Sequence, residues 1–141
     1  SNSSYEIYCK TLKPVKKIST KEFPGYPTDL QAQLIATQLK SGLKSKVVEN
    51  IFENRFIHIP ELRRFGANLS IKGNTVTIDK TSNLLGAEVM ATDIRASFSL
   101  IIAAMMSKGK TVINRIYHLD RGYEDFDLKL KKCGVNISRK K

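Results

Sequence analysis

Two stretches of this 141-residue chain carry helical hydrophobic spacing, and each is followed by a β-branched run. In "YPTDLQAQLIATQLKSG", Leu30, Leu34, Ile35 and Leu39 fall on one stripe, with Ala32 and Ala36 on the neighbouring surface. The second stretch, "MATDIRASFSLIIAAMMSKG", is apolar nearly all round from Ile94 and Phe98 to Met106. A helix of that kind is buried on most sides. The pattern predicts helices over 28–43 and 92–108, both among the most buried elements. A Thr-Asp pair opens each, and Gly42 and Gly109 stand where C-caps belong. The runs at 47–52 and 111–117 read as strands. Shorter helical segments at 60–65 and 123–132 carry the charge: Arg63 and Arg64 on one, Lys129, Lys131 and Lys132 on the other. An inner and an outer helix per unit is the expectation.

The order of these signals repeats. Thr28-Asp29 parallels Thr92-Asp93, "FENRF" around Arg55 parallels "HLDRG" around Arg121, and "GANLS" parallels "GVNIS". The offsets are 64 at the Thr-Asp pair, 66 at the Arg and 68 at the last Gly, a drift that small loop insertions produce. The repeating unit is β-α-β-α-β-β, of roughly 65 residues. In the first copy Gly73-Asn74 separates "LSIK" from "TVTID", a two-residue hairpin signal. We divide the chain into an N-terminal strand segment (1–24), a first unit (25–80) and a second unit (81–141), together one partial α/β (α+β) domain. The period exceeds that of the usual solenoids, so a few large units fit better than an array.

Charge narrows the partners. There are 24 Lys and Arg against 13 Asp and Glu, a net charge of +11, which favours anionic ligands such as nucleic acid, an acidic surface or phosphorylated metabolites. Cys9 and Cys133, the two cysteines, have no metal-ligand spacing and form no disulfide framework, so neither a metal nor another cofactor is expected, and a reduced, cytoplasmic setting is. The longest apolar run, at 100–106, is far short of the ~20 residues that span a bilayer, and the N-terminus lacks the apolar stretch of a signal peptide. No membrane association is expected.

Arg95 breaks a local rule. With Thr92 as N-cap it takes the third helical position, where a cation opposes the helix dipole by roughly 0.3–1 kcal/mol. Its counterpart in the first unit is Gln31, which with Thr28 fits a capping box. Either Asp93 neutralises Arg95, or an anion binds at the helix N-terminus with Arg95 as its counter-ion. Arg55 and Arg121 both follow a strand, in the loop before an outer helix; an ion pair with Glu53 or Asp120 would explain each, while their equivalence suggests converging loops at a ligand crevice. Asp29 is either a first-turn carboxylate or an acceptor for a ligand hydroxyl, with general-base chemistry open to it. His58 and His118 show no ligand spacing and read as structural.

Taken together, "YPTDLQAQ", "FENRFIHIPELRRFGA", "GAEVMATDIRAS" and "RIYHLDRGYE" closely resemble the C-terminal part of the UDP-N-acetylglucosamine 1-carboxyvinyltransferase family, over about residues 25–139. The sister family, 5-enolpyruvylshikimate-3-phosphate synthase, shares the fold but not these strings. The resemblance implies transfer of enolpyruvate from phosphoenolpyruvate to the 3′-hydroxyl of UDP-N-acetylglucosamine, with release of phosphate, in peptidoglycan synthesis. It implies two inside-out α/β barrels of three such units each, helices inside. It matches Asp29 to the carboxylate at the acceptor hydroxyl, proposed as its base, and Ile51 to a position contacting the nucleotide sugar largely through its backbone. Arg55, Arg95 and Arg121 match the arginines that bind the donor's carboxylate and phosphate. Family members are about three times as long, so this chain holds about two of six units. The family's catalytic loop Cys and donor-binding Lys-Asn pair belong to the part not represented, and neither Cys9, expected in a strand, nor Cys133 replaces that Cys. Alone, the chain is expected to be inactive, and its uncovered helix face to drive self-association. The competing readings are a basic nucleic-acid-binding α/β module and a non-catalytic interaction protein. Against the first, there is no RNP-type aromatic string and no GxxG clamp, so no nucleic-acid partner is expected.

Overall fold

The computed structural model describes Tyr8 and residues 12–140. Strand β1 (Lys17–Ser19) leads through a 3-10 turn at Thr28–Leu30 into α1 (Gln31–Gln38) and back to β2 (Ser45–Val48). Then come α2 (Ile59–Arg64), β3 (Leu69–Lys72) and β4 (Thr75–Ile78). The second unit runs β5 (Glu88–Met90), α3 (Ile94–Met106), β6 (Val112–Asn114), α4 (Tyr117–Asp120) and α5 (Phe126–Lys132).

Each inner helix is the crossover of a parallel pair. β1 and β2 pair in parallel with Ile18 beside Val47, and β5 and β6 with Val89 beside Ile113. The first sheet is extended by the hairpin, in the order β1-β2-β4-β3, with Val47 opposite Val76 and Val76 opposite Ile71. Gly73 at φ +56° makes the tight turn that an L side chain would strain.

α1 and α3 pack on one another at the centre of the molecule. Ile35, Leu39, Leu100 and Ala103 join Val47, Val76, Ile78 and Val89 in one buried cluster. Small residues on both helices (Ala32, Ala36, Ala96, Ser99, Ala103) bring the axes close. The expectation of two buried inner helices holds, although both are shorter than predicted. The stripe on α1 is displaced, because the 3-10 turn winds tighter than an α-helix and puts Leu30 out in solvent, 50% exposed. The buried face is Ala32, Ile35, Ala36 and Leu39. Outer-helix residues Arg63, Arg64, Lys129, Lys131 and Lys132 are exposed, as expected.

The units are not equally complete. Gly66 and Gly134 close α2 and α5 with φ of +83° and +89°, so the repeat persists to that point. Beyond it "GANLS" enters β3, whereas "GVNIS" forms no strand among the described residues. The strand expected over 111–117 is cut short by Arg115 at φ +57°, after which α4 begins. Cys9 lies outside the described residues; Cys133 is exposed and free.

Candidate functional site

One buried carboxylate organises the first unit's loops. The strand expected over 47–52 stops at Val48, because the next residue, Glu49, turns the chain onto itself. Glu49 is only 2% exposed. Its Oε1 accepts from the Thr20 hydroxyl at 2.8 Å and from the amides of Ile51 at 2.9 Å and Phe52 at 3.2 Å. Its Oε2 accepts from the Thr28 hydroxyl at 2.8 Å. Burial alone would raise this carboxyl's pKa; the Ile51 amide, the Thr20 and Thr28 hydroxyls and the Phe52 amide outweigh it and hold the group below the usual carboxylate range.

Asn54, at φ +53°, then reverses the chain so that the Arg55 guanidinium lies 4.5 Å over the Phe52 ring. Arg55 Nη1 donates to Thr28 Oγ1 and Nη2 to Asp29 Oδ1, both at 3.1 Å. From the second unit, Arg95 Nε approaches the same Asp29 Oδ1 at 2.7 Å. Two arginines from different repeats thus share one oxygen of a carboxylate that is itself 57% exposed.

This arrangement corrects several expectations. Asp93, not Thr92, is the N-cap of α3, its Oδ1 accepting from the amides of Arg95 at 2.8 Å and Ala96 at 2.9 Å. Arg95 is therefore at the second helical position. The cap also occupies two of the amides that an anion at the helix N-terminus would use, so the cation there acts through its side chain. Asp93 does not neutralise Arg95, because its carboxylate is turned to the backbone. The Thr28–Gln31 capping box is absent: the Thr28 hydroxyl is drawn to Glu49, and Gln31 is buried with Nε2 unpartnered. Arg55 pairs with Asp29 rather than Glu53.

Arg121 stands apart from this ion pair. It follows α4, is exposed, and lines an open depression with Asp120, Tyr123, Asp127 and Arg139. Asp120 is engaged by Arg139, at 2.7 and 3.1 Å, instead of by Arg121. That hydrogen bond and charge keep the Asp120 carboxyl below its ordinary range. Arg121 is still tethered near the α3 N-terminus, since Gly122 lies so close to Ile94 Cδ1 that a Cβ there would collide with it. Ile51 sits at the rim, 36% exposed, with its amide committed to Glu49. His58 is buried with Nε2 unpartnered; burial pushes its pKa down to about 4, opposed in part by the Asp93 charge. His118 is tilted against the Tyr117 ring at 4.3 Å. Among the described residues no three His, Cys, Asp or Glu are placed to hold a metal ion, and no helix is long and apolar enough to cross a membrane.

Glu49 and Thr20 are the site members the sequence reading passed over. The available signal was a carboxylate interrupting the apolar run "VVENIF". A charge inside such a run is either exposed on a strand or buried with a full set of donors.

Comparison with known proteins gives the family. Residues 2–130 match the family model described as EPSP synthase (3-phosphoshikimate 1-carboxyvinyltransferase). The UDP-N-acetylglucosamine 1-carboxyvinyltransferase of Rhodopseudomonas palustris (strain TIE-1) is 57% identical over 122 residues, which are 86% of this chain and 28% of that protein. The protein of the same name from Pelagibacter ubique is 54% identical over 136 residues, 95% of this chain and 33% of that one. Among solved structures, the enolpyruvyl transferase NikO from Streptomyces tendae superposes with a TM-score of 0.82 at 28% identity, over 93% of this chain and 30% of its own. The chain spans about a third of the length of the curated relatives it matches. A family match over nearly the whole chain and a fold shared with a solved transferase agree that the chain belongs to the enolpyruvyl transferases of the EPSP synthase family.

Proposed function

We propose that the chain supplies part of the active site of an enzyme that transfers enolpyruvate from phosphoenolpyruvate to the 3′-hydroxyl of UDP-N-acetylglucosamine, releasing phosphate. The observation that carries this reading is the meeting of Arg55 and Arg95, from two repeat units, on Asp29 Oδ1. Planar guanidinium groups recognise carboxylate and phosphate oxygens by paired hydrogen bonds, and the donor carries both groups. Without donor, Asp29 is the anion between the two cations. A bound donor supplies stronger competing charge and draws the arginines off, with Arg121 joining from the neighbouring turn. Asp29 is then free to accept the acceptor's hydroxyl proton as the hydroxyl oxygen bonds to C2 and an acid outside this segment protonates C3; phosphate then leaves C2 as C3 gives up a proton, restoring the double bond. Ile51, at the rim, offers its backbone carbonyl and side chain to the nucleotide sugar. The names of the relatives supply the acceptor in this reading. In the cell the activity would be cytoplasmic and would serve peptidoglycan synthesis, and through it cell shape and division.

The test is phosphate release from phosphoenolpyruvate with UDP-N-acetylglucosamine, using a transferase of the relatives' full length that contains this segment. Asp29→Asn should lower kcat by ~100-fold or more, the usual worth of a positioned base. Unchanged turnover in that variant, or a parent that ignores UDP-N-acetylglucosamine, would overturn the proposal.

A further inference from the structure

We propose that Glu49 is a positioning residue for this site: it fixes the direction of a Glu49–Thr28–Arg55 hydrogen-bond chain and thereby aims the Arg55 guanidinium. The inference rests on the enolpyruvyl-transfer reading above.

The argument is one of donors and acceptors. A guanidinium has only donors. Thr28 Oγ1 must therefore accept from Arg55 Nη1 at 3.1 Å, and its single proton must go to Glu49 Oε2 at 2.8 Å. At Thr20 the Oγ1 accepts from the Asn50 amide at 2.8 Å and gives its proton to Glu49 Oε1 at 2.8 Å in preference to the Val48 carbonyl at 3.5 Å. Every group touching Glu49 is a donor, a set that only an acceptor-only carboxylate satisfies. Among the described residues no cation pairs with Glu49 directly, and Arg55 reaches it only through the Thr28 hydroxyl. A buried carboxylate without a paired cation is costly unless hydrogen bonds satisfy it. Its two oxygens divide the work. Oε1 holds the 50–52 loop, with Ile51 and the Phe52 ring on which Arg55 stacks. Oε2 holds the turn that carries Asp29. One side chain thus sets the acceptor-side loop against the donor-side arginine.

The test uses the full-length transferase containing this segment. In Glu49→Gln the amide oxygen can keep the Oε1 contacts, while the amide nitrogen turns a donor toward Thr28 Oγ1, which then faces donors on both sides. Arg55 is displaced, and KM for phosphoenolpyruvate should rise by about tenfold, as loss of one charge-assisted hydrogen bond implies. KM for UDP-N-acetylglucosamine should stay within about twofold, since the loop contacts survive. Thr28→Val should give the same donor-selective loss, Thr28→Ser should restore parental values, and Glu49→Gln combined with Thr28→Val should be no worse than Thr28→Val alone. Glu49→Ala, which also frees the loop, should raise both KM values. A Glu49→Gln enzyme with parental kinetics, or with equal losses for both substrates that track a lowered Tm, overturns the proposal. If Glu49→Gln does not fold, the Thr28→Val and Thr28→Ser pair decides by the same criterion. An inactive parent overturns the proposed function and this assignment together, whereas an active parent with losses blind to substrate overturns this assignment alone.

Discussion

At Asp29 a single carboxylate oxygen receives two guanidinium groups, and neither ion pair is deeply buried: the side chains of Arg95 and Asp29 are 43% and 57% exposed. Exposed pairs contribute about 0–1 kcal/mol. Arg95→Gln should therefore leave the unliganded protein within about 1 kcal/mol of the parent, the lost pair being offset by removal of a cation from the positive end of α3. Donor binding should weaken by about 1.5–3 kcal/mol in the full-length enzyme, the worth of a hydrogen bond to a charged group. Thermal melts beside steady-state kinetics for phosphoenolpyruvate check both; a large drop in Tm with normal donor kinetics would make Arg95 a structural residue. His58 gives the opposite kind of prediction, stability without function. Its pKa falls from 6.5 to about 4 because the ring is buried, so the folded protein holds it neutral while the unfolded chain takes up a proton first. Stability is then complete above pH 6.5 and declines as pH falls toward 4, by about 3 kcal/mol in all. Glu49, whose pKa is lowered, keeps its contribution above the ordinary carboxylate value of 4.5 and loses it from there downward, so it adds only at the acid end of that window. Melting curves between pH 7 and 4.5 should steepen in the parent and flatten in His58→Gln; a parent whose Tm does not respond to pH there would show the ring is solvated.

At the scale of elements, the Asp93 cap is the sharpest departure from what the residues suggested. Thr92 and Asp93 are both good N-caps, and hydrophobic spacing places a helix start only to within a residue or two. The extended Asp93 (φ −153°, ψ 173°) decides it, with a carboxylate accepting two amides. Asp93→Ala should cost about 1 kcal/mol of stability and Thr92→Ala much less, as a pair of chemical denaturation curves would show. Equal losses in the two would return the cap to Thr92. The inner helices, the Gly73-Asn74 hairpin and the repeat were readable because each rests on local chemistry: apolar periodicity, a turn residue, a glycine with positive φ. The 3-10 turn was not, since it arises when Thr28 is drawn to Glu49 across 21 residues. The same long-range contact ended β2 early and dissolved the expected capping box. Of the candidate residues, Asp29, Arg55 and Arg95, which residue type and helix position mark and the resemblance gathers into one site, meet at Asp29 Oδ1. Arg121 rests on the same grounds, yet it caps α4 and makes no ion pair with Asp29, and no spacing rule distinguishes those two outcomes. Glu49 escaped notice because a lone glutamate in an apolar run has no pattern of its own; only its four donors, from Thr20, Thr28, Ile51 and Phe52, give it meaning.

For the whole molecule, the two units differ in how their central strands are covered. β2 is paired on both sides, by β1 and β4, whereas β6 is paired only by β5 among the described residues, and its three residues are half-buried throughout. An open strand edge is a template for another chain unless charge, proline or a covering element blocks it. Around this unit Leu85, Met90, Met105, Tyr117 and Leu128 are large apolar side chains left 40–57% exposed. In relatives three times as long, further chain is available to cover such surfaces; in this chain a second copy is the nearest source of both a strand and an apolar face. The 141-residue chain should accordingly self-associate, and sedimentation velocity over a concentration series should show the sedimentation coefficient rising. High salt should strengthen the association, because screening relieves repulsion between molecules of net charge +11 while the hydrophobic contribution persists. The same preparation should release no phosphate from phosphoenolpyruvate with UDP-N-acetylglucosamine, since the roles proposed for Asp29, Arg55 and Arg95 cover proton acceptance and anion binding but leave the donor's C3 without a proton source. A clean monomer at every concentration would show that the β6 edge is protected. Robust turnover would show that this third of the relatives' length suffices for the whole reaction, and would move the search for the missing acid to the exposed Cys133 and the carboxylates around Arg121.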